Sequence, residues 1–233
     1  MELKFFQAIF VNPFLQAIHG IAILFNDNYG ISIIIITLII RLILMPFMLK
    51  QYKNQQLLKT KMENIKPEMA TIQEKIKNTK DKQEERVLQQ ELISLYSKHG
   101  INPLNMGCLP LLIQMPILMG LYYAIRGSHE IATHSFLWFS LGQPDIGITL
   151  IAGIVYFVQI KVTQSSFPIE QQKQMKFMGF LYPIMIIMIS MNAPAALPLY
   201  WAVGGIYLVL QSLLSKKLYH SSLDTKATSN DIG

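Results

Sequence analysis

Five long apolar runs constrain this chain more than any other feature of its sequence. A helix that crosses the hydrocarbon core of a bilayer needs about 20 mostly apolar residues. The stretches that meet this requirement are 29–49, 104–125, 146–163, 175–193 and 195–214. In addition, 52% of the residues are hydrophobic and only 15% are charged, against about 25% charged residues in a typical soluble domain. The sequence therefore predicts an all-α, polytopic membrane protein with five transmembrane helices.

The segment before the first run, residues 1–28, is apolar but interrupted. Asn12-Pro13 breaks it, and Gln16 and His19 add polarity. A secretory signal would need a more basic start and a small-residue cleavage site. We expect residues 13–25 to form an amphipathic helix that lies in the membrane interface on the extracytoplasmic side. A sixth membrane span is the alternative.

Lysine and arginine are distributed unevenly between the loops, which predicts the orientation. They are abundant in 50–100, recur near 161–176 and at Lys216, Lys217 and Lys226, and are sparse on the opposite side, where only Lys4 and Arg126 lie. Because positive charge marks the cytoplasmic side, we expect a multi-pass protein of the plasma (inner) membrane. Its N-terminus would lie outside and its C-terminus, a short tail (218–233) after the four further helices of 101–217, in the cytoplasm. The net charge of +6 reflects this topology, and no specific nucleic-acid partner is predicted.

Residues 50–100 form the only sizeable polar region. Apolar residues recur there at alternating steps of four and three, first at Leu58, Met62, Ile65, Met69, Ile72 and Ile76 and then at Leu88, Leu92, Leu95 and His99. Two such stripes joined by the polar turn at 78–81 are typical of an antiparallel helical hairpin. Pro67 should kink its first helix. The sequence therefore predicts a cytoplasmic helical hairpin between the first two spans.

Motifs for catalysis and metal binding give no support for an enzyme. The stretch HEIATH at 129–134 places its histidines five residues apart rather than four, which leaves the two rings about 140° apart on a helix. We find no nucleophile elbow, glycine-rich phosphate loop or cysteine–histidine cluster. We therefore predict no catalytic residue, no metal site and no cofactor.

Arg41 is the exceptional residue of the first span. An arginine near the centre of a membrane helix costs about 2.5–3.5 kcal/mol on insertion scales, and no Asp or Glu occurs in any of the five runs. Thr37 lies one turn away on the same face. Uncharged polar side chains also occur in the other runs: Gln114, Gln159, Ser190, Trp201 and Gln211. Together these residues predict a water-filled, positively charged cavity between helices that is open to the cytoplasm.

Three stretches resemble core helices of the YidC family of membrane protein insertases. They are NYGISIIIITLIIRLILMPF, NPLNMGCLPLLIQMPILMGLYYA and PAALPLYWAVGGIYLVLQ, and the resemblance extends from about residue 12 to 217. It implies five helices around a hydrophilic groove that is open to the cytoplasm and to lipid. It places Arg41 on the family's groove arginine and assigns Thr37, Gln114, Gln159 and Trp201 to the same groove. The chain resembles a short form without the large extracytoplasmic domain.

The resemblance also implies the function and the partners. We expect an insertase and chaperone that helps nascent membrane proteins enter and fold in the lipid bilayer, with the positive groove attracting the acidic tail of the substrate. The Sec translocon and the ribosome are candidate partners. Two other hypotheses remain open: an anion channel or carrier subunit that binds its solute at Arg41, and a purely structural assembly factor that docks through the hairpin.

Overall fold

The computed structural model describes residues 7–101, 109–164 and 169–230, which are almost entirely helical. A π-helical turn, Gln7–Val11, leads into α1. The helices are α1 Asn12–Leu24, α2 Tyr29–Asn64, α3 Lys66–Asn78, α4 Lys82–Lys98, α5 Leu109–Gly127, α6 His129–Thr133, α7 Ile146–Gln164, α8 Ile169–Ser190 and α9 Ala196–Asn230. Two short strands, β1 Ser135–Phe136 and β2 Phe139–Ser140, form an antiparallel pair. The predicted all-α membrane architecture is confirmed, with this small hairpin as its only β-structure in the described residues.

Four stretches of helix in the described part of the chain are long and apolar enough to cross a membrane. They are Gln7–Leu24, Tyr29–Asn64, Ile146–Gln164 and Ala196–Leu218, and Gly179–Ser190 within α8 is a shorter apolar helix. Helices also cover each of the five predicted runs, although 104–108 lies outside the described residues. Because Gln7–Leu24 meets the same requirement as the predicted spans, the count of five crossings stays a prediction.

Two of these helices are much longer than a membrane crossing. Helix α2 continues through Pro46 to Asn64, well past the predicted end of its span at 49. At a rise of about 1.5 Å per residue it is roughly 54 Å long, which exceeds the full thickness of a bilayer, about 40–45 Å. Helix α9 likewise continues to Asn230. The membrane helix thus continues without a break into the first part of the polar region.

The polar region forms the helical hairpin, with α3 and α4 joined by a short turn. Asp81 caps α4 by accepting a hydrogen bond from the backbone N–H of Gln83 at 2.9 Å. Pro67 does not kink a helix: α2 ends at Asn64, and Pro67 occupies the first turn of α3, where its missing N–H is not needed. The buried seam contains Met62, Ile65, Met69, Ile72, Leu88 and Leu95, with Leu58, Ile76 and Leu92 packed against it.

One member of the predicted seam is wrong. His99 is exposed, and Ile101, which is 2% exposed, closes the seam instead. The chain reverses at Gly100, whose φ is 62°, and the N–H groups of Gly100 and Ile101 donate to the carbonyls of Ser97 and Tyr96. This Schellman arrangement at the end of α4 carries the next apolar residue back onto the helix, which a strict helical period cannot anticipate.

The end of the bundle opposite the hairpin is closed by short elements. Ile18 and Ala22 of α1, Ile131 of α6 and Leu141 after β2 are all completely buried in the main core. The backbone N–H of Ala196, at the start of α9, donates to the carbonyl of Leu141 at 3.0 Å. These contacts fix the ends of α1, α2, α5 and α9 relative to one another.

Two glycines, Gly153 and Gly205, allow neighbouring helices of the bundle to approach closely. Helix α9 packs along both α2 and α7, and α7 packs along α8. A Cβ atom at Gly153 of α7 would lie 2.6 Å from Cδ1 of Ile187 in α8, and one at Gly205 of α9 would lie 2.6 Å from Cγ1 of Val155 in α7. Such glycines let helix backbones approach closely in a membrane.

Candidate functional site

Arg41 lies inside the helix bundle, not on its surface. It is on α2 and only 5% exposed. Among the described residues, no acidic side chain forms a salt bridge with Arg41. A buried charge without a counter-ion is costly unless polar groups or water surround it. The surroundings of Arg41 therefore decide what this site can do.

The guanidinium of Arg41 lies against the backbone of α9 at a glycine. A Cβ atom added to Gly204 would lie 2.9 Å from Nη2 and 3.3 Å from Nε of Arg41. The next residue, Gly205, makes room for α7, because a Cβ there would lie 2.6 Å from Cγ1 of Val155 and in ordinary contact, at 3.5 Å, with Cε2 of Tyr156. The glycine pair in α9 thus admits a cation from one neighbouring helix and an aliphatic side chain from the other.

Three tyrosines lie close enough to Arg41 to be affected by its charge. Tyr156 of α7, Tyr182 of α8 and Tyr207 of α9 all interact electrostatically with Arg41. The rings of Tyr156 and Tyr182 pack edge to face with their centroids 5.5 Å apart. A neutral tyrosine hydroxyl can accept a hydrogen bond from a cation or donate one to an anion. Four helices, α2, α7, α8 and α9, therefore contribute to this site.

Gln114, one of the residues predicted from the sequence, contacts α9 near its start, at the residue before Trp201. The side-chain amide of Gln114 in α5 donates to the hydroxyl of Tyr200 at 2.7 Å. Tyr200 is 2% exposed, and the adjacent Trp201 is 4% exposed, three residues before Gly204. Gln114 thus connects α5 to the same helix that receives Arg41.

Thr37 and Gln159 differ in what they offer to the site. Thr37 is completely buried, and its hydroxyl donates to the carbonyl of Ile33 one turn earlier at 2.6 Å, so it presents no free hydrogen to a groove. Gln159 of α7 is half-buried. The placement of the five predicted residues around one groove stays a prediction, since the structure places Arg41 against α9 and Gln114 against Tyr200 but leaves the hydroxyl of Thr37 bonded to its own helix.

Sequence reasoning missed the tyrosines. Tyr156, Tyr182 and Tyr207 lie in runs that were taken as apolar, because tyrosine is a common residue of membrane helices and helix interiors. A signal was present in the chain, since the glycine pair at 204–205 indicated close helix packing. The sequence alone, however, does not tell which side chains fill the space that glycines leave.

Comparison with known proteins gives consistent matches along the chain. A family model described as "60Kd inner membrane protein" matches residues 21–222. The chain is 52% identical over 215 residues to "Membrane protein insertase YidC 2" of Listeria monocytogenes serotype 4b (strain F2365), covering 92% of this chain and 78% of the relative. It is 46% identical over 236 residues to "Membrane protein insertase MisCB" of Bacillus subtilis (strain 168), covering 98% of this chain and 86% of that relative.

A solved structure is also similar. It is described as "Active YidC insertase crystal structure with the first transmembrane domain resolved" and superimposes with a TM-score of 0.62 at 26% sequence identity. The match covers 88% of this chain and 45% of the solved chain, so this protein spans less than half the length of that structure.

Proposed function

Since this chain belongs to the 60Kd inner membrane protein family, we propose that its buried arginine receives the acidic tail of a substrate during membrane insertion. The relatives are named membrane protein insertases, which is a non-enzymatic function. The chain is accordingly a multi-pass inner membrane protein that inserts nascent membrane proteins into the bilayer. The anion channel or carrier that the sequence left open is not favoured, because no such function is named among these relatives.

The observation that carries the proposal is the cation of Arg41, buried without an acidic partner among the described residues. Two opposite unit charges about 4 Å apart attract by roughly 4 kcal/mol at an effective dielectric constant of about 20, and by about 1 kcal/mol in bulk water. A carboxylate that reaches Arg41 therefore gains more than it would at the protein surface. The tail of a substrate can enter because Gln114 and Gln159 help to hydrate a groove that leads to the arginine.

The orientation of the protein makes this groove accessible from the cytoplasm. The basic hairpin and the end of α9 lie on the cytoplasmic side by the positive-inside rule, with the N-terminus outside. Arg41 is about 18 Å along α2 from Tyr29 at a rise of about 1.5 Å per residue, which places it well inside a hydrocarbon core of roughly 30 Å. An acidic tail that binds there has crossed about half of the membrane.

The apolar segment of the substrate then moves into lipid along the outer faces of α7 and α8. Large apolar side chains are exposed on these faces, among them Ile154 at 65%, Phe180 at 60% and Met188 at 63%. Such a surface faces lipid without cost in a membrane protein. The hairpin would meet the nascent chain first, and the Sec translocon and the ribosome are its proposed partners.

The experiment compares matched substrates in liposomes that contain only the purified protein. The substrates have one apolar segment and a short tail that carries either two Asp or two Asn residues. Arg41→Lys should retain most activity because both side chains are cationic. Arg41→Ala should slow the Asp tail by about tenfold or more, which corresponds to about 1.4 kcal/mol, and leave the Asn tail close to wild type.

A matched control is Arg126→Ala. It removes an exposed arginine in the last turn of α5, whose Nη1 donates to the hydroxyl of Tyr122 at 3.0 Å. It should affect neither tail. Equal loss for both tails in Arg41→Ala would show that the arginine does not attract the carboxylate. Solute flux through the same liposomes would instead favour the channel.

A further inference from the structure

Three hydroxyl groups of the described residues are buried without a hydrogen-bond partner. They belong to Thr149, Ser190 and Tyr207. Leaving a buried polar group unpaired is expensive, and such a group in a folded protein requires an explanation. The environment of the three hydroxyls separates one of them from the other two.

Tyr207 is the member of this set that lies beside a charge. It follows Gly204, the residue that contacts the guanidinium of Arg41, by about one helical turn on α9, and it interacts electrostatically with Arg41. Thr149 lies near the start of α7 and Ser190 is the last residue of α8, so each is at an end of its helix, whereas Tyr207 lies in the middle of the apolar part of α9, within one turn of the glycine that contacts Arg41. The unpaired hydroxyl of Tyr207 is therefore part of the arginine site.

We propose that the hydroxyl of Tyr207 is a second ligand for the substrate carboxylate and donates a hydrogen bond to it when the carboxylate reaches Arg41. This inference rests on the proposed function, because it names a further group in the same site. Arg41 supplies charge, and Tyr207 supplies a directed donor. Hydrogen bonds to ionised acceptors are about twice as strong as neutral ones, so a carboxylate at Arg41 would give the hydroxyl of Tyr207 a strong acceptor.

This role has a consequence that a packing role does not share. Removing an unpaired buried hydroxyl relieves a desolvation cost and should leave folding unchanged or improved. If the hydroxyl serves substrate binding, the same change must weaken the insertion of acidic tails. Tyr207→Phe should therefore raise or preserve the thermal midpoint and at the same time lower insertion of the Asp tail.

Thr149→Val is the matched control, because it also removes a buried unpaired hydroxyl and keeps the shape of the side chain. Both variants should have thermal midpoints in detergent equal to or above that of the wild type. In liposomes, Tyr207→Phe should slow insertion of the Asp tail by about tenfold or more, as expected for a net hydrogen bond to a charged group, and leave the Asn tail unchanged. Thr149→Val should insert both tails at the wild-type rate.

The double variant Arg41→Ala/Tyr207→Phe separates this inference from the proposed function. When Arg41 no longer holds the carboxylate, removing the tyrosine hydroxyl should add little further loss, since ligands of one group are not additive. If Arg41→Ala slows the Asp tail but Tyr207→Phe does not, only the inference on Tyr207 is wrong. A lower thermal midpoint for Tyr207→Phe, or equal loss for Asp and Asn tails, would assign the hydroxyl to packing and overturn the inference.

Discussion

Replacing Gly204 by alanine should weaken the insertion of acidic tails without destabilising the protein. The added Cβ would lie 2.9 Å from Nη2 and 3.3 Å from Nε of Arg41, while ordinary contacts begin at 3.4 Å. The guanidinium must therefore retreat by about half an ångström. Because the conflicting atoms are at the end of a flexible side chain, this retreat costs little. The higher helix propensity of alanine, about 1 kcal/mol over glycine, offsets that cost.

The functional effect follows from the displacement of the charge. Moving a carboxylate and a guanidinium from about 4.0 to about 4.5 Å at an effective dielectric constant of about 20 weakens their attraction by about 0.5 kcal/mol, which is about twofold in rate. The assay is the initial rate at which Asp tails become protected from protease inside liposomes, with Asn tails as the reference. The expected loss is small beside that of Arg41→Ala and confined to the Asp tail.

Gly205→Ala is the natural comparison, because its Cβ would lie 2.6 Å from Cγ1 of Val155. Valine is stiff at χ1, so α7 and α9 must separate, and overpacking of this kind costs about 1–3 kcal/mol. The thermal midpoint should fall by a few degrees, since 1 kcal/mol corresponds to about 2–4 °C in a chain of this size. If Gly204→Ala lowers the midpoint as much as Gly205→Ala, or slows both tails equally, the reasoning on Arg41 is refuted.

Three further changes test other parts of the structure. Gly30→Ala should lower the thermal midpoint by several degrees, because its Cβ would lie 2.1 Å from Cγ of Phe136, and Phe136→Ala in the same chain should restore part of the loss. Gly100→Ala should speed tryptic cleavage of the hairpin, since a left-handed conformation costs a residue with Cβ about 1–2 kcal/mol. Gly100→Asn should speed this cleavage less, and equal cleavage rates for the two variants would contradict the Schellman cap. The third test uses single cysteines in a chain whose Cys108 is replaced by serine. A cysteine at 159 should react with a water-soluble maleimide and one at 37 should not, because Gln159 is half-buried and Thr37 is fully buried. Equal labelling of the two cysteines would contradict this burial.

The sequence singled out Arg41 because a charge in an apolar run is a local anomaly, and the structure buries this residue inside the bundle. The physical cost of that charge is visible without knowing any neighbour. The seam of the hairpin was also predictable from local sequence, since the spacing of its apolar residues depends only on the period of the helix itself. Gly100 and Ile101 lie beyond the reach of that period, because a reversal of the chain, not a helical repeat, brings Ile101 back to the seam.

The tyrosines around Arg41 could not be predicted, because their role depends on which helices are neighbours. Tyr156, Tyr182 and Tyr207 come from three helices, and only packing brings them to one guanidinium. Thr37 shows that a position on the same helix face does not by itself make a residue part of the site. It shares a helix face with Arg41, yet its hydroxyl is satisfied by the carbonyl of Ile33, an interaction common for threonine in helices.

The continuous helix α2 fixes the distance between Arg41 and the base of the hairpin. The stretch from Arg41 to Asn64 is a single rod about 35 Å long at a rise of about 1.5 Å per residue. At its far end, Nζ of Lys61 donates to the carbonyl of Gly100 at 3.1 Å and ties the returning stem of the hairpin to the rod. An extended chain covers at most about 3.3–3.6 Å per residue, so under the proposed function a nascent chain bound at this end would need roughly ten residues for its acidic end to reach the arginine. The length of this helix segment would then set the minimum length of the tail that the protein can receive.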